Sequence, residues 1–419
     1  MTRSIHTFPA FSLYQRQQAL QWANQAFPYC VYLNPNDTPF PQGGFPHVLA
    51  AGSTQAAQGL DELQQLVKAQ PDWYFGYISY DYKNQLEALE SRHTSDIDFG
   101  DLFFFRAEVL FFFKEDGTEI HSKTSPLAVF EALSKINPLP QKPSLAPIQP
   151  KETQAEYLQK VEALRQHIIE GDIYEINYCK AFSAQVHSLN PESTYWTLNE
   201  IAPAPFSCFV KYTDRFLLCA SPERFIKKTG ERIISQPIKG TSRRASNPQE
   251  DQARKEALLH SEKERAENMM IVDLVRNDLA RTAKVGSVKV DELFGLYSFS
   301  HVHQMISTVS SRLQEGIEGL EALKLAFPMG SMTGAPKIRA MELIDQYESF
   351  RRGIFSGTVG YISPSGDFDF NVVIRSMMYD QSQSLLTLAA GSAITYDSDP
   401  HSEWEESMLK TQHILQVLG

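Results

Sequence analysis

Cysteine is scarce in this sequence. There are four in 419 residues, at Cys30, Cys179, Cys208 and Cys219, with no C-x-x-C pair among them. That excludes a disulfide framework and points to buried free thiols in a reducing compartment. No cluster of His and Cys offers the ligand set that zinc prefers. Positive charge is also in deficit: 39 Lys and Arg stand against 50 Asp and Glu, a net charge of −11. So acidic a chain is not built for non-specific nucleic-acid binding. If it takes an anionic substrate, it must gather cations or backbone N–H groups locally. Long apolar runs are missing as well. The strongest, Leu102 to Phe113, is broken by Arg106 and Glu108 and is too short to span a bilayer. The N-terminus lacks the apolar core of a signal peptide. These absences predict a cytoplasmic protein with neither membrane nor nucleic-acid partners.

The composition that remains, 42% hydrophobic and 21% charged, is that of a globular protein with a sizeable core. Five prolines between residues 137 and 150 (Pro138, Pro140, Pro143, Pro147 and Pro150) form an extended connector. It divides an N-terminal part, residues 1–136, from a C-terminal region, residues 151–419. It either separates domains or crosses the surface of one large domain. Leu102 to Phe113 reads as two buried strand passes. A helix is expected from Gln154 to Glu170, stopped by Gly171, with a second from Ser261 to Arg281 and a last one from Ser402 to Leu418. Strands are expected near Phe206–Val210, Phe216–Cys219, Gly357–Ser363, Asp369–Tyr379 and Leu385–Ala390, with a hairpin turning at Thr229-Gly230. Strands in adjacent runs argue for an α+β architecture of antiparallel sheets flanked by helices.

Four constellations carry potential chemistry. Lys239 lies in Pro237-Ile238-Lys239-Gly240-Thr241, at the end of an apolar run and before a glycine that admits a close neighbour. Desolvation would lower its proton affinity and make it a nucleophile, whereas a strand-end lysine would only pack its stem and reach water. Glu223 precedes it by sixteen residues across the hairpin, as a general acid or as one half of a plain cross-strand ion pair. Glu264 and Glu267 are i, i+3 on a helix whose stripe continues into apolar positions, which directs them inward. Ser261 and Glu264 also fit a capping box, which leaves Glu267 unexplained. Glu403 and Glu406 repeat the spacing, with Lys410 one turn on. They read either as a dipole-complementing first turn or as half of a Mg²⁺ site. Anion receivers are the loop Gly330 to Lys337, Arg375 in an apolar strand, and Gly391-Ser392.

Taken in order, these segments resemble the chorismate-utilising enzymes: component I of anthranilate synthase and of aminodeoxychorismate synthase, with isochorismate and salicylate synthases. The resemblance rests on Gly171 to Asn177, Ser221-Pro222-Glu223, Pro237 to Thr241, Glu267-Asn268 and Asp273 to Asp278. It continues through Met332 to Lys337, Gly360-Tyr361, Ile374-Arg375, and Asp397-Ser398 with Glu403 and Glu406. It implies two large antiparallel sheets packed as a sandwich with helices outside, and both parts of the chain in one interleaved domain. It implies Mg²⁺ on Glu267 and Glu406, supported by Glu264 and Glu403. Chorismate would be received by Thr241, Thr333, Gly334, Tyr361, Arg375, Gly391, Ser392 and Lys410. Anthranilate synthases carry alanine where Lys239 stands, so this form resembles the aminodeoxychorismate synthase branch. There Lys239 would be the nucleophile and Glu223 the general acid, with ammonia supplied by a separate glutamine amidotransferase subunit. Anthranilate or isochorismate synthesis, and a non-catalytic chorismate binder, are the alternatives. Two departures stand out: Gln304, beside His303, replaces a family histidine, and no Leu-Glu-Ser motif marks a tryptophan pocket near the N-terminus.

Overall fold

The strand Leu102–Phe113 organises the architecture. In the computed structural model, which describes residues 3–419, it is a single strand rather than the two passes expected. Its first half pairs along one edge with Tyr74–Ile78 and its second half, on that same edge, with Thr118–Ser122. Val48–Ala57 runs along the other edge. Two arms of sheet therefore leave this one strand, one from each edge. The first arm runs from Val48–Ala57 through Tyr29–Asn34, Phe206–Tyr212, Arg215–Ser221, Ser376–Asp380 and Leu385–Ile394 to Glu175–Ser188. The second runs from Tyr74–Ile78 through Thr358–Ile362, Phe368–Asn371, Arg224–Thr229 and Arg232–Gln236 to Val302–Arg312. Every one of these pairings is antiparallel. The hydrogen bonding is therefore one continuous ladder with two arms, not the two separate sheets expected.

Both arms feed one core, in which Leu33, Phe206 and Leu217 of the first join Phe75, Ile226 and Phe370 of the second. Fully burying each such side chain contributes about 1.5–3 kcal/mol. A second core lies under the helices, where Leu20, Leu198 and Ile414 meet Tyr32, Phe209 and Leu388. The two parts of the chain interleave, since Tyr29–Asn34 pairs with Phe206–Tyr212 and Tyr74–Ile78 with Thr358–Ile362. The proline-rich segment lies along Glu175–Ser188 through two short strands, Ser144–Leu145 and Gln149–Pro150.

Local chemistry sets the element ends. The helix Gln154–Ile169 starts at a reciprocal capping box between Thr153 and Glu156. The helix Glu262–Ala280 is capped by Ser261, and Pro400–Leu418 by Asp399. The strand expected over Asp369–Tyr379 is broken instead into Phe368–Asn371 and Ser376–Asp380. Arg375 sits at the break with φ +50°. Among the described residues no helix is long and apolar enough to cross a membrane.

Candidate active site

The hairpin forms where the sequence placed it, with Gly230 at φ +58° and Thr229 opposite Arg232. Arg224 faces Gln236 across it, which puts Glu223 level with Pro237. Lys239 lies two residues further on, in Ile238–Arg243, which leaves the hairpin to pair with Val302–Arg312. Glu223 is thus within electrostatic reach of Lys239 but not bonded to it. The partner of Lys239 is Glu175: Nζ donates to Oε1 at 2.6 Å, with Lys239 8% and Glu175 1% exposed.

This partner overturns the protonation expected for Lys239. Burial alone pushes the ammonium down, but the charges of Glu175, Glu267 and Glu223 outweigh it and hold the group above the ordinary lysine value. Glu223 shifts the other way for a carboxylic acid. Burial raises it to about 7, against the opposing pull of a hydrogen bond to Ser331 and of Lys239 and Arg375. Near neutral pH the site therefore pairs a charged lysine with a carboxyl that burial helps to keep protonated. Glu175 was not singled out in the sequence. Its signal was an acidic residue opening the strand Glu175–Ser188, whose first eight residues are all buried.

Glu175 and the glycine-bearing loop are built as one unit. Ala335 faces Glu175 in a short ladder, Tyr174 N–H donates to Ala335 O at 2.7 Å, and Asn177 N–H donates to Thr333 O at 2.8 Å. Gly334 has φ +147°, and a Cβ there would stand 2.2 Å from the carbonyl oxygen of Glu175, so only glycine fits. Beneath this unit, buried Arg352 donates to both oxygens of Glu348, to Met332 O at 2.6 Å and to Asn177 O at 2.9 Å. Glu348 in turn accepts from Cys179 N–H at 2.8 Å. Lys337 clamps the far end of the loop by donating to Asp278 at 2.7 Å.

The four expected glutamates converge on Lys263. Its Nζ reaches Glu267 Oε1 at 3.8 Å and Glu403 Oε1 at 3.6 Å. Ser261 accepts the N–H of Glu264 at 3.4 Å, but the Glu264 carboxyl does not return to complete a capping box. It lies against Gly240 instead, with Oε2 3.1 Å from where a Cβ would stand. Glu267 is raised to about 7 by burial, and among the described residues its Oε1 has no hydrogen-bond partner. Glu403 accepts from Ser398 at 2.8 Å, while its Oε2 is also unpartnered. Glu406 pairs with Lys410 at 2.7 Å, and this cation outweighs burial and holds its carboxyl below the usual range. Among the described residues no three acidic or metal-ligating side chains stand together as a ready metal cage.

The anion receivers divide. The Arg375 guanidinium makes no hydrogen bond or ion pair among the described residues, and Glu223 is the charge that bears on it. Lys410 also donates to Gly391 O at 2.9 Å. Thr333 is fully buried and spends its hydroxyl on Met329 O and Gly330 O, so it offers the site backbone rather than side chain. Ser392 turns its hydroxyl toward Tyr157, 3.4 Å away, because side chains alternate across the strand. Thr241 is exposed, in register with Gln304. Tyr361 departs furthest from the expectation. It packs on Trp73 and Phe75, with ring centroids 5.5 and 6.2 Å away, and the charges bearing on it are Asp369, Arg224 and Asp367. Among the described residues nothing joins it to the Lys239 constellation. His303 is occupied elsewhere, 2.8 Å from Ser298 Oγ and 3.0 Å from Asp251.

The site thus gathers six carboxyl groups (Glu175, Glu223, Glu264, Glu267, Glu403 and Glu406) around four cations, Lys239, Lys263, Arg375 and Lys410. It can present an amine to an electrophilic carbon, protonate a leaving oxygen and hold a carboxylate on an unpaired guanidinium.

The sequence matches the chorismate binding enzyme family over residues 11–416. It is 37% identical over 363 residues to an aminodeoxychorismate synthase of Streptomyces griseus, covering 82% of this chain and 50% of that protein. The chain therefore spans about half the length of that relative. It is 33% identical to aminodeoxychorismate synthase component 1 of Bacillus subtilis, covering 80% of this chain and 74% of that one. It is 31% identical to anthranilate synthase component 1 of Aquifex aeolicus, covering 82% and 73%. Among solved structures, anthranilate synthase component I from Streptococcus pneumoniae superimposes with a TM-score of 0.74 at 26% identity, covering 98% of this chain and 92% of that one. The menaquinone-specific isochorismate synthase of Escherichia coli shares the fold, with a TM-score of 0.80 at 18% identity over 100% and 95% of the two chains. The chain belongs to the chorismate-binding enzyme family.

Proposed function

We propose that this chain aminates chorismate at C4, giving 4-amino-4-deoxychorismate for 4-aminobenzoate and folate synthesis. The observation that carries the reading is Lys239 itself: a buried amine with a carboxylate 2.6 Å from Nζ and, nearby, the Glu223 carboxyl raised by burial. The neutral amine of Lys239 attacks ring C2, and Glu223 protonates the departing 4-hydroxyl. Ammonia then adds at C4, and the lysine leaves. Retention of the enolpyruvyl group distinguishes this outcome from anthranilate synthesis. Relatives named aminodeoxychorismate synthase support the reading, although a relative named anthranilate synthase matches at a similar identity. The lysine favours the former, because ring C2 amination needs no nucleophile from the protein at that position.

Arg375, Lys410 and the backbone of Gly334 and Gly391 would receive the substrate's carboxylates. A dianionic substrate entering beside six carboxyl groups needs further positive charge. Oxygen-only donors and the unpartnered Glu267 Oε1 and Glu403 Oε2 fit Mg²⁺. Glu267 and Glu406 would hold it, with Glu264 and Glu403 in support and Lys263 displaced. When bound, the ion supplies charge neutralisation and orientation for a substrate carboxylate. Ammonia would come from a separate glutamine amidotransferase subunit.

The test is Lys239→Ala. C4 amination is expected to fall by at least about 10³-fold, the scale of a lost nucleophile, while Mg²⁺-dependent chorismate binding persists. Unchanged turnover would remove the nucleophile role.

A further inference from the structure

We infer that Glu175 is a further catalytic residue, the base that takes the proton from Lys239 so that its amine can attack. The inference rests on the C4-amination reading above. Among the described residues, Glu175 Oε1 is the hydrogen-bond acceptor of Lys239 Nζ, at 2.6 Å. Its carboxyl is sealed from water, and its second oxygen, Oε2, is buried without a partner. The backbone around it is fixed by the Ala335 ladder, the close approach of Gly334 and the Arg352 network. A carboxylate held this rigidly against the reacting nitrogen is placed for transfer rather than for simple charge balance.

The difficulty it resolves is plain. Lys239 cannot attack while it carries three protons, and buried at 8% exposure it has little water to accept one. One proton moves from Nζ to Glu175 Oε1, leaving an amine and a carboxylic acid. As the substrate displaces the remaining water, the neutral pair gains on the ion pair, because both charged forms lose solvation. The Nζ lone pair then forms the bond to C2, the two ring double bonds each move one place, and the C4–O bond breaks. Glu223 gives its proton to the leaving oxygen, which departs as water. When ammonia bonds to C4, the double bonds return and the C2–N bond breaks. Glu223 takes a proton from the new ammonium, and Glu175 returns its own proton to Lys239.

The experiment uses the full chain with chorismate and Mg²⁺ but no ammonia, in single turnover from pH 7 to 9.5. Intact-protein and peptide masses follow an adduct on Lys239 equal to chorismate less one water. Where the adduct does not accumulate, the steady-state amination rate at fixed free ammonia gives the same readout. E175Q is expected to slow the step by about 10²-fold at pH 7. Between pH 7 and 9.5 the wild-type rate should fall about tenfold per unit as Glu223 loses its proton, whereas the E175Q rate should stay level, because the gain as solvent takes the Lys239 proton offsets that loss. E175D keeps the carboxylate but withdraws it, and is expected to fall between the two, which covers the case in which E175Q does not fold. Chorismate binding and melting temperature verify that each variant is folded. Wild-type rates and a wild-type pH profile in E175Q, or in E175D if only that folds, would overturn the inference and leave the nucleophile reading standing. Amination by K239A with no wild-type adduct would overturn the underlying reading, and this inference with it.

Discussion

Two buried lysines in this protein have opposite fates. Lys239 is 8% exposed and Lys180 1% exposed, and burial pushes both ammonium groups down. Around Lys239 stand Glu175, Glu267 and Glu223, which return it above its ordinary value. Around Lys180 stand rings. Its Nζ lies 3.1 Å from the Trp404 ring centroid and 4.9 Å from that of Tyr157, and it has no hydrogen-bond partner. Only the charge of Glu152 opposes burial there, and the group falls to about 7. Aromatic faces attract a cation, but more weakly than a carboxylate at bonding distance. Burial therefore does not make a lysine reactive. Its neighbours decide whether it is a charged partner waiting for a base or a neutral amine in a cage.

The largest effect is expected at Glu223. Glu223→Gln removes a charge that supports Lys239 and the acid that protonates the leaving group, so the amination rate is expected to drop about 10²–10⁴-fold. Because Glu223 acts only while protonated and sits at about 7, the wild-type rate should fall tenfold per pH unit above that value. The variant should lose this limb in a pH–rate profile taken at fixed free ammonia. Next in size is Glu267→Gln, which removes another of the charges around Lys239. Mg²⁺ affinity on the full chain, measured by calorimetry, should weaken by on the order of 10–100-fold. Equal affinity in both forms would move the metal away from this helix.

The smallest effect lies at the other lysine. Lys180→Met should stabilise the protein by about 1–3 kcal/mol, by removing a buried group without a hydrogen bond. The sign of its pH dependence follows from a lysine lowered in the folded state. Below about 7 both folded and unfolded forms are charged, and the cost of burial is felt in full. As pH rises through 7 the folded lysine sheds its proton and the cost declines. The gain in Lys180→Met should thus be larger in urea denaturation at pH 6 than at pH 9.

What the sequence disclosed of this site was the local part. A cap at Ser261 marked one helix, Thr229-Gly230 marked the hairpin, and i, i+3 spacing put Glu264 and Glu267 on an inward face. What it did not disclose depends on contacts far apart in the chain. Glu175 lies 64 residues from Lys239 and meets it only because the loop through Gly334 pins its strand. The protonation of Lys239 follows from that contact and is the reverse of what its own apolar flanks implied. The placing of Tyr361 against Trp73 has a related reason, since alternation along a strand sends a side chain to one face or the other, and only the register tells which. The long strand Leu102–Phe113 was misread as two because nothing in a continuous apolar run says that its halves serve different partners.

Identifying the product decides whether this site puts nitrogen on C4 of chorismate. Purified chain is incubated with chorismate, Mg²⁺ and ¹⁵N-ammonium, and the product is located by mass and NMR. The account predicts ¹⁵N bonded to C4 with the enolpyruvyl group retained. Label at C2 with pyruvate released, or a hydroxyl at C2 with no label, would contradict it and place the chain in a sister activity.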